Sequence, residues 1–350
     1  MGGKLFEKEG AVRISTEQYL KTIQPELNSF LEPLGLAFKF LSFYDTKESH
    51  GNVNILVENS DSVVGTSSYL INGVNTNRVS IQNYLKNAGY KVKVNNDVIS
   101  FLYKDTLQVD LLITKPSLFE YAYSYFSYND LGGLIGRLAR GLGLKHGQNG
   151  LVYTHYTNNG SVKLGDFTLT RNHDETLEIL GLCPIRFKEG FKTLEDIYEY
   201  VTTSKYFGVS PYVLEDMRSK NQSRNKKRNT FIGFETYLLD NKEQLNLPLI
   251  SSSLPANKLS HILYLFPSLK LKLDLVEEQY RLQMLFNSKF NGHILQDMFV
   301  ELQKDKKRLG SFINYFKNKT DVYDFVKKGD EEIKQEILKE YSIFLRGTFV

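Results

Sequence analysis

Apolar positions at helical spacing open the chain: Tyr19, Leu20, Ile23, Leu27, Phe30 and Leu31 fall on one stripe. Ser15-Thr16-Glu17 in front of them reads as a helix cap, and Pro25 as a kink or a break between two short helices. Residues 37–43 then read as a strand and 53–57 as a second, buried one, with the polar turn 44–51 between them. The stretch 78–88 is predicted helical, with Val79, Ile81, Tyr84 and Leu85 apolar and Gly89 where a C-cap belongs. Three strand-like runs follow at 90–95, 97–103 and 107–113. Asn95-Asn96 reads as a tight hairpin turn and Lys104-Asp105 separates the last two runs. The order predicts an α+β fold around one mixed sheet with flanking helices.

Past residue 117 the texture changes. Most of 118–220 and 256–348 reads as amphipathic helices, interrupted by a strand-like pair at 150–156 and 161–169. A helix is expected over 191–206, with Leu194, Ile197, Tyr198 and Val201 on one face. Residues 276–290 and 294–316 suggest a small helical bundle, so the C-terminal region is predicted helical. The shift near 117 and the polar stretch 246–258 divide the chain into expected domains at 1–117, 118–250 and 251–350.

Composition narrows the function classes. The chain has 350 residues, 41% of them hydrophobic, which is ample for real cores. Its 44 Lys+Arg against 40 Asp+Glu leave a net charge of +4, too small to signal nucleic-acid binding by itself. The single cysteine, Cys183, rules out an intrachain disulfide framework and an all-cysteine zinc site, and is expected to be a buried structural thiol. The six histidines show no ligand-type spacing. No apolar run reaches the roughly 18–20 residues that span a bilayer, and MGGKLFEKEG carries no signal core. The expectation is a cytoplasmic protein with no membrane partner. Abundant Asn, Lys, Tyr, Phe and Ile with no Trp fit an AT-rich genome, as in many small bacteria and their viruses.

The chemistry-bearing candidates lie in LSFYDTKESHGNVNILV at 41–57 and LQVDLLI at 107–113. Together they resemble the nucleotidyltransferase superfamily of DNA polymerase beta, poly(A) polymerases and CCA-adding enzymes. In that superfamily a strand enters a Gly-Ser turn, a second strand carries Asp-x-Asp after a glycine, and a later strand supplies a third carboxylate. Residues i and i+2 share a strand face, so such carboxylates converge on two Mg²⁺ ions that serve in-line displacement at a triphosphate. Here the Asp-x-Asp position reads Asn52-Val53-Asn54, after a retained Gly51, and the third acid is retained as Asp110. The resemblance puts Ser42 at the Gly-Ser turn and Lys47 near a lysine of many relatives, so Ser42, Lys47 and Gly51 are the implied nucleotide-binding positions. Two amides in place of two carboxylates remove two negative charges from a site that must hold hard dications, so no metal is expected.

The resemblance extends over about residues 15–345. Residues 129–151, NDLGGLIGRLARGLGLKHGQNGL, look like the helix-then-loop of large-virus and phage members, and 167–207 resemble the segment that follows it. The glycines at 132, 133, 136, 141 and 143 lack a Gly-Lys-Ser/Thr signature and point to close helix packing. The basic run Arg218, Lys220, Arg224, Lys226, Lys227 and Arg228 is a candidate nucleic-acid contact without interleaved aromatics. The tyrosines of YAYSYFSY at 121–128 alternate with small residues, as on a strand face or an interaction surface.

Two readings follow. The first is a protein of this fold that has lost catalysis and serves as a structural or interaction component, of a phage or virus particle, with protein partners. The second is an active, Mg²⁺-dependent nucleotidyltransferase extending a nucleic-acid 3′ end. That reading needs Asp45, Glu48 or Glu58 to stand in beside Asp110.

Overall fold

A computed structural model describes residues 5–59, 70–71, 74–75, 78–243 and 245–347. The fold is mixed α and β, with a five-stranded mixed sheet, flanking helices and a helical C-terminal region. Two compact units form: 1–153 with 167–261, and 154–166 with 262–350.

Ser15 caps as expected, its hydroxyl accepting from the Gln18 N–H. Helix α1 (Gln24–Leu31) follows directly, so of the kink or break expected at Pro25 no break is seen. The preceding turn, Tyr19–Ile23, is widened: the Gln24 N–H bonds to the Tyr19 carbonyl five residues back. That widening accommodates a proline ring that would otherwise strike the carbonyl of the turn before it.

Five strands build the main sheet: β1 (Phe38–Phe40), β2 (Val53–Glu58), β3 (Val92–Asn95), β4 (Val98–Tyr103) and β5 (Leu107–Thr114). Their order is β1-β2-β5-β4-β3. The central pair β2·β5 is parallel and every other pair is antiparallel. Helix α2 (Arg78–Asn87) crosses over within the long connection from β2, and Gly89, at φ +86°, closes its end. The β3–β4 turn is Asn96-Asp97, one residue later than expected, because Asn95 pairs with Val98 in the ladder. Asn96 takes φ +50°, a left-handed conformation that Asn tolerates better than most residues. This register turns Ile99 and Phe101, both fully buried, into the core.

Alternation gives the sheet two covered faces. Val53, Ile55, Val57, Val109, Leu111 and Ile113 pack with Leu27 and Leu31 of α1 and with Ile81 and Leu85 of α2. On the other face Leu56 and Leu112 meet Phe119 and Ala122 of α3 (Phe119–Phe126). The tyrosine run is therefore helical, with Tyr121 buried, rather than a strand face. Phe119, Ala122, Tyr123 and Phe126 sit at i, i+3, i+4 and i+7, and that apolar stripe outweighs the two-residue alternation of the tyrosines.

Helix α4 (Leu131–Gly141) packs close to α3, and Gly132 makes that approach possible: a Cβ there would lie 2.2 Å from the Tyr125 carbonyl oxygen. Strands β6 (Leu144–Gly147), β7 (Gly150–Tyr156) and β8 (Lys163–Thr170) form a separate three-stranded sheet in that order. Helices α5 (His173–Ile179) and α6 (Leu194–Thr202) follow. The expected 191–206 helix is shorter because Thr193 and Asp196 form a capping box that fixes its start. Cys183 is exposed, not buried, directly before the short helix that Pro184 opens. Helices α7 (Ser219–Asn225) and α8 (Asn229–Asn241) complete the first unit's labelled elements.

The second unit contains α9 (Leu269–Lys289) and a C-terminal bundle with an aromatic core, in which Phe290 and Phe316 stack at 4.2 Å. Among the described residues, no helix is long and apolar enough to cross a membrane.

Candidate functional site

The parallel register of β2 and β5 sets Asn54 beside Asp110, and the antiparallel register of β5 and β4 sets Ser100 on Asp110's other side. Asn52 and Gln108 lie two residues before Asn54 and Asp110, so strand parity points all five side chains to one face. That is the face which α3 covers further along, over Leu56 and Leu112. The sequence-predicted trio Asn52, Asn54 and Asp110 is thus brought together, at the start of the central parallel pair.

Asp110 is buried and carries four hydrogen bonds from three neutral side chains. Asn52 Nδ2 donates to Oδ2 at 2.5 Å and Ser100 Oγ donates to Oδ1 at 2.5 Å. Gln108 Nε2 donates to both oxygens at 2.9 Å. The amide orientations are set by other partners. Gln108 Oε1 accepts the Leu5 backbone N–H at 3.0 Å, which leaves its NH₂ for the carboxylate. Asn52 Nδ2 also donates to Asn54 Oδ1 at 2.8 Å. A carboxylate offers about four lone-pair sites, and here donors take them. The carboxylate faces aimed dipoles, and among the described residues no cationic side chain pairs with it.

This donor set does not fit a magnesium pair. Mg²⁺ needs oxygen lone pairs at about 2.0–2.1 Å, normally with one or two carboxylates. Asn52 presents its NH₂ to Asp110, and an amide nitrogen in that orientation is a hydrogen-bond donor, not a ligand. Among the described residues, no three His, Cys, Asp or Glu side chains converge in a group that could hold a metal ion. Glu58 pairs with Thr114 at the far end of the strand pair, while Asp45 and Glu48 are exposed.

The implied nucleotide-binding positions have structural partners. The Leu41 N–H donates to the Asn54 carbonyl, which brings the neighbouring Ser42 beside the motif strand. Ser42 Oγ is 2.7 Å from the Tyr123 hydroxyl, and its carbonyl accepts the Tyr128 N–H at 2.7 Å. Lys47 Nζ donates to Asn129 Oδ1 at 3.0 Å and lies 5.6 Å from the Phe43 ring centre. Burial, with Arg13's charge adding, pulls its pKa down to about 8. Gly51 is buried next to His50, which stacks on Tyr19 at 4.5 Å. Burial chiefly, then the charges of Lys47 and Arg13, lower the His50 pKa to about 4.

Of the basic run, Lys220 and Arg224 lie on α7, Arg218 directly precedes it, Lys226 and Lys227 form the turn after it, and Arg228 directly precedes α8. Arg218, Lys220, Arg224, Lys226 and Lys227 are exposed, and Arg228 is half-buried in an ion pair with Asp130 at 2.8 Å.

Sequence reasoning passed over Ser100 and Gln108. Their signal was available: Gln108 is the i−2 neighbour of Asp110, and Ser100 is the one polar residue of the strand VISFLY apart from its terminal tyrosine. Neither a protein-family model nor a curated protein sequence matches this chain.

Proposed function

We propose that this chain is a nucleotidyltransferase-like protein that has lost catalysis and serves as a structural or interaction component, in the setting of a phage or virus particle in its host's cytoplasm. The observation that carries this reading is the saturation of Asp110 by Asn52, Ser100 and Gln108. Clustered carboxylates repel one another unless a cation sits between them. Replacing two of them with amides turns a repulsive cluster into a hydrogen-bonded one, so the sheet gains a satisfied polar junction where the superfamily keeps a charged cleft. The residue usage, shared by small bacteria with AT-rich genomes and by their viruses, is compatible with that setting.

A surface feature supports an interaction role. On α9, Leu271 is 78% exposed and Leu275 58%, and past Glu278 and Gln279 the same side carries the half-buried Leu282 and the exposed Leu285. Leu269 and Leu273, on the opposite side of the helix, are buried. An apolar stripe facing outward is the usual mark of a protein contact.

A primer-extension assay on RNA and DNA with Mg²⁺ and nucleoside triphosphates tests the loss of catalysis. The expected result is no extension by the wild type. Extension that Asp110→Asn abolishes would overturn the reading. Mass photometry of wild type and a Leu271→Glu/Leu275→Glu variant tests the interaction role: a multimer that the variant dissolves supports self-assembly through α9.

A further inference from the structure

The basic run does not stand alone. Arg137 and Arg140 extend from α4, three residues apart on one side of that helix, and Gly133 precedes them one turn earlier on the same side. Arg137 is tied to the run from two directions. Its Nη2 lies 2.9 Å from Met217 Sδ, and its guanidinium sits 5.6 Å from the Phe231 ring centre. Asn225 Nδ2 contacts the same Met217 sulfur at 3.3 Å, which holds α7 in place. Gly133 lets Arg228 lie across α4: a Cβ there would be 3.0 Å from Arg228 Nη1 and 2.7 Å from Asp130 Oδ1. The eight cations Arg137, Arg140, Arg218, Lys220, Arg224, Lys226, Lys227 and Arg228 thus come from α4, from α7 with its two flanks, and from the position directly before α8, all within the first unit.

Residues 217–234 contain no Asp or Glu, and the flanking acids are Glu215, Asp216 and Glu235. Among the described residues, Arg228–Asp130 is the ion pair made by this group. Burial lowers the Arg137 pKa to about 10, and the neighbouring charges of Arg140, Arg224 and Arg228 push the same way. The guanidinium groups of Arg140, Arg224 and Arg228 therefore lie close to Arg137, and Arg228 is the one that an acid, Asp130, pairs. Such crowding is costly for folding, and an external polyanion would relieve it.

We infer that the face formed by α4, α7 and the start of α8 binds the phosphodiester backbone of a nucleic acid. The spread of cations over three segments fits a chain of phosphates better than one phosphate. Arginine forks suit phosphate oxygens, and Asn221, Gln222, Ser223 and Asn229 stand among the cations as further hydrogen-bonding groups. Membrane insertion needs a cluster of exposed apolar side chains, and among the described residues of α4, α7 and α8 the exposed large apolar side chain is Leu239, at the end of α8 away from the run. Recognition here is of backbone charge, because no exposed aromatic interleaves the run to stack bases. The binding is independent of Asp110 and needs no divalent metal.

Fluorescence anisotropy of labelled single-stranded RNA, single-stranded DNA and duplex DNA, in EDTA across a salt series, tests this. The wild type should bind with an affinity that falls steeply as salt rises. Arg140→Glu/Arg224→Glu, at two exposed positions, should weaken binding at least about tenfold and flatten the log–log salt slope by about 0.7–0.9 for each phosphate no longer neutralised. Circular dichroism of the variant should match the wild type. Absence of binding at low salt, binding that the folded double variant retains, or a preference for vesicles containing anionic lipid over nucleic acid would each overturn the inference. Because the assay excludes metal and triphosphate, its failure leaves the reading of Asp110 intact.

Discussion

Asn52→Asp is the sharpest perturbation of the Asp110 junction, because it changes one NH₂ to one oxygen at constant volume. In the wild type that NH₂ donates to Asp110 at 2.5 Å and to Asn54 at 2.8 Å. The bond to a charged acceptor is worth about 1.5–3 kcal/mol and the neutral one about 0.5–1.5 kcal/mol. Both are removed, and a second carboxylate faces the first. Two unit charges about 4 Å apart repel by about 4 kcal/mol at an effective dielectric near 20. The pair relieves this repulsion by binding a proton as pH falls, so its folded pKa rises above the unfolded value of about 4. A raised folded pKa means that stability is retained below the unfolded pKa and lost as pH climbs through the folded one. The expected cost is up to about 6–8 kcal/mol near pH 8, shrinking to about 1–2 kcal/mol near pH 4. Amide hydrogen exchange in β2 and β5 reads this locally, at both pH values and in EDTA. A variant as protected as the wild type near pH 8 would refute the hydrogen-bond assignment at Asp110.

Other consequences are equally open to test. His146 and His173 sit with ring centres 6.0 Å apart, each with a buried Nε2 that has no partner, and burial chiefly lowers their pKa values to about 3 and about 4. Lowered histidine pKa values mean that the unfolded chain binds more protons, so stability falls as pH drops from about 6.5 toward 4, and His173→Gln should flatten that dependence in urea titrations. Gly132→Ala places a methyl 2.2 Å from the Tyr125 carbonyl and should cost about 1–3 kcal/mol, or prevent folding, by thermal unfolding. Gly89→Ala, by contrast, meets no atom within 4 Å, so its cost should be confined to the strain of φ +86°, about 1–2 kcal/mol.

The sheet was legible because period-two alternation and turn residues constrain it strongly. Parity puts 52 and 54 on one face, the resemblance added 110 to them, and the parallel register sets Asn54 opposite Asp110. What surrounds Asp110 was harder to read, because a serine or glutamine in a strand looks the same whether it faces water or a carboxylate. Only the register that sets Ser100 opposite Asp110 separates the two. Tyrosine alternation at 121–128 misled for a different reason: two periods were superimposed, and the apolar one at Phe119, Ala122, Tyr123 and Phe126 decided the structure. Arg137 and Arg140 lie some 80 residues before the basic run, and their joining it is a tertiary fact carried by Met217 and Phe231. Cys183 escaped burial because the following Pro184 starts a short helix whose buried residue is Phe187.

The central claim is that neutral donors already occupy the oxygens a metal pair would need. Paramagnetic broadening by Mn²⁺ with a nucleoside triphosphate tests it at the atoms concerned, through the side-chain NH₂ signals of Asn52 and Gln108. Those signals should stay sharp and no more affected than exposed amides elsewhere as Mn²⁺ reaches stoichiometric amounts. Their selective disappearance at that point, reversed by EDTA, would contradict the account.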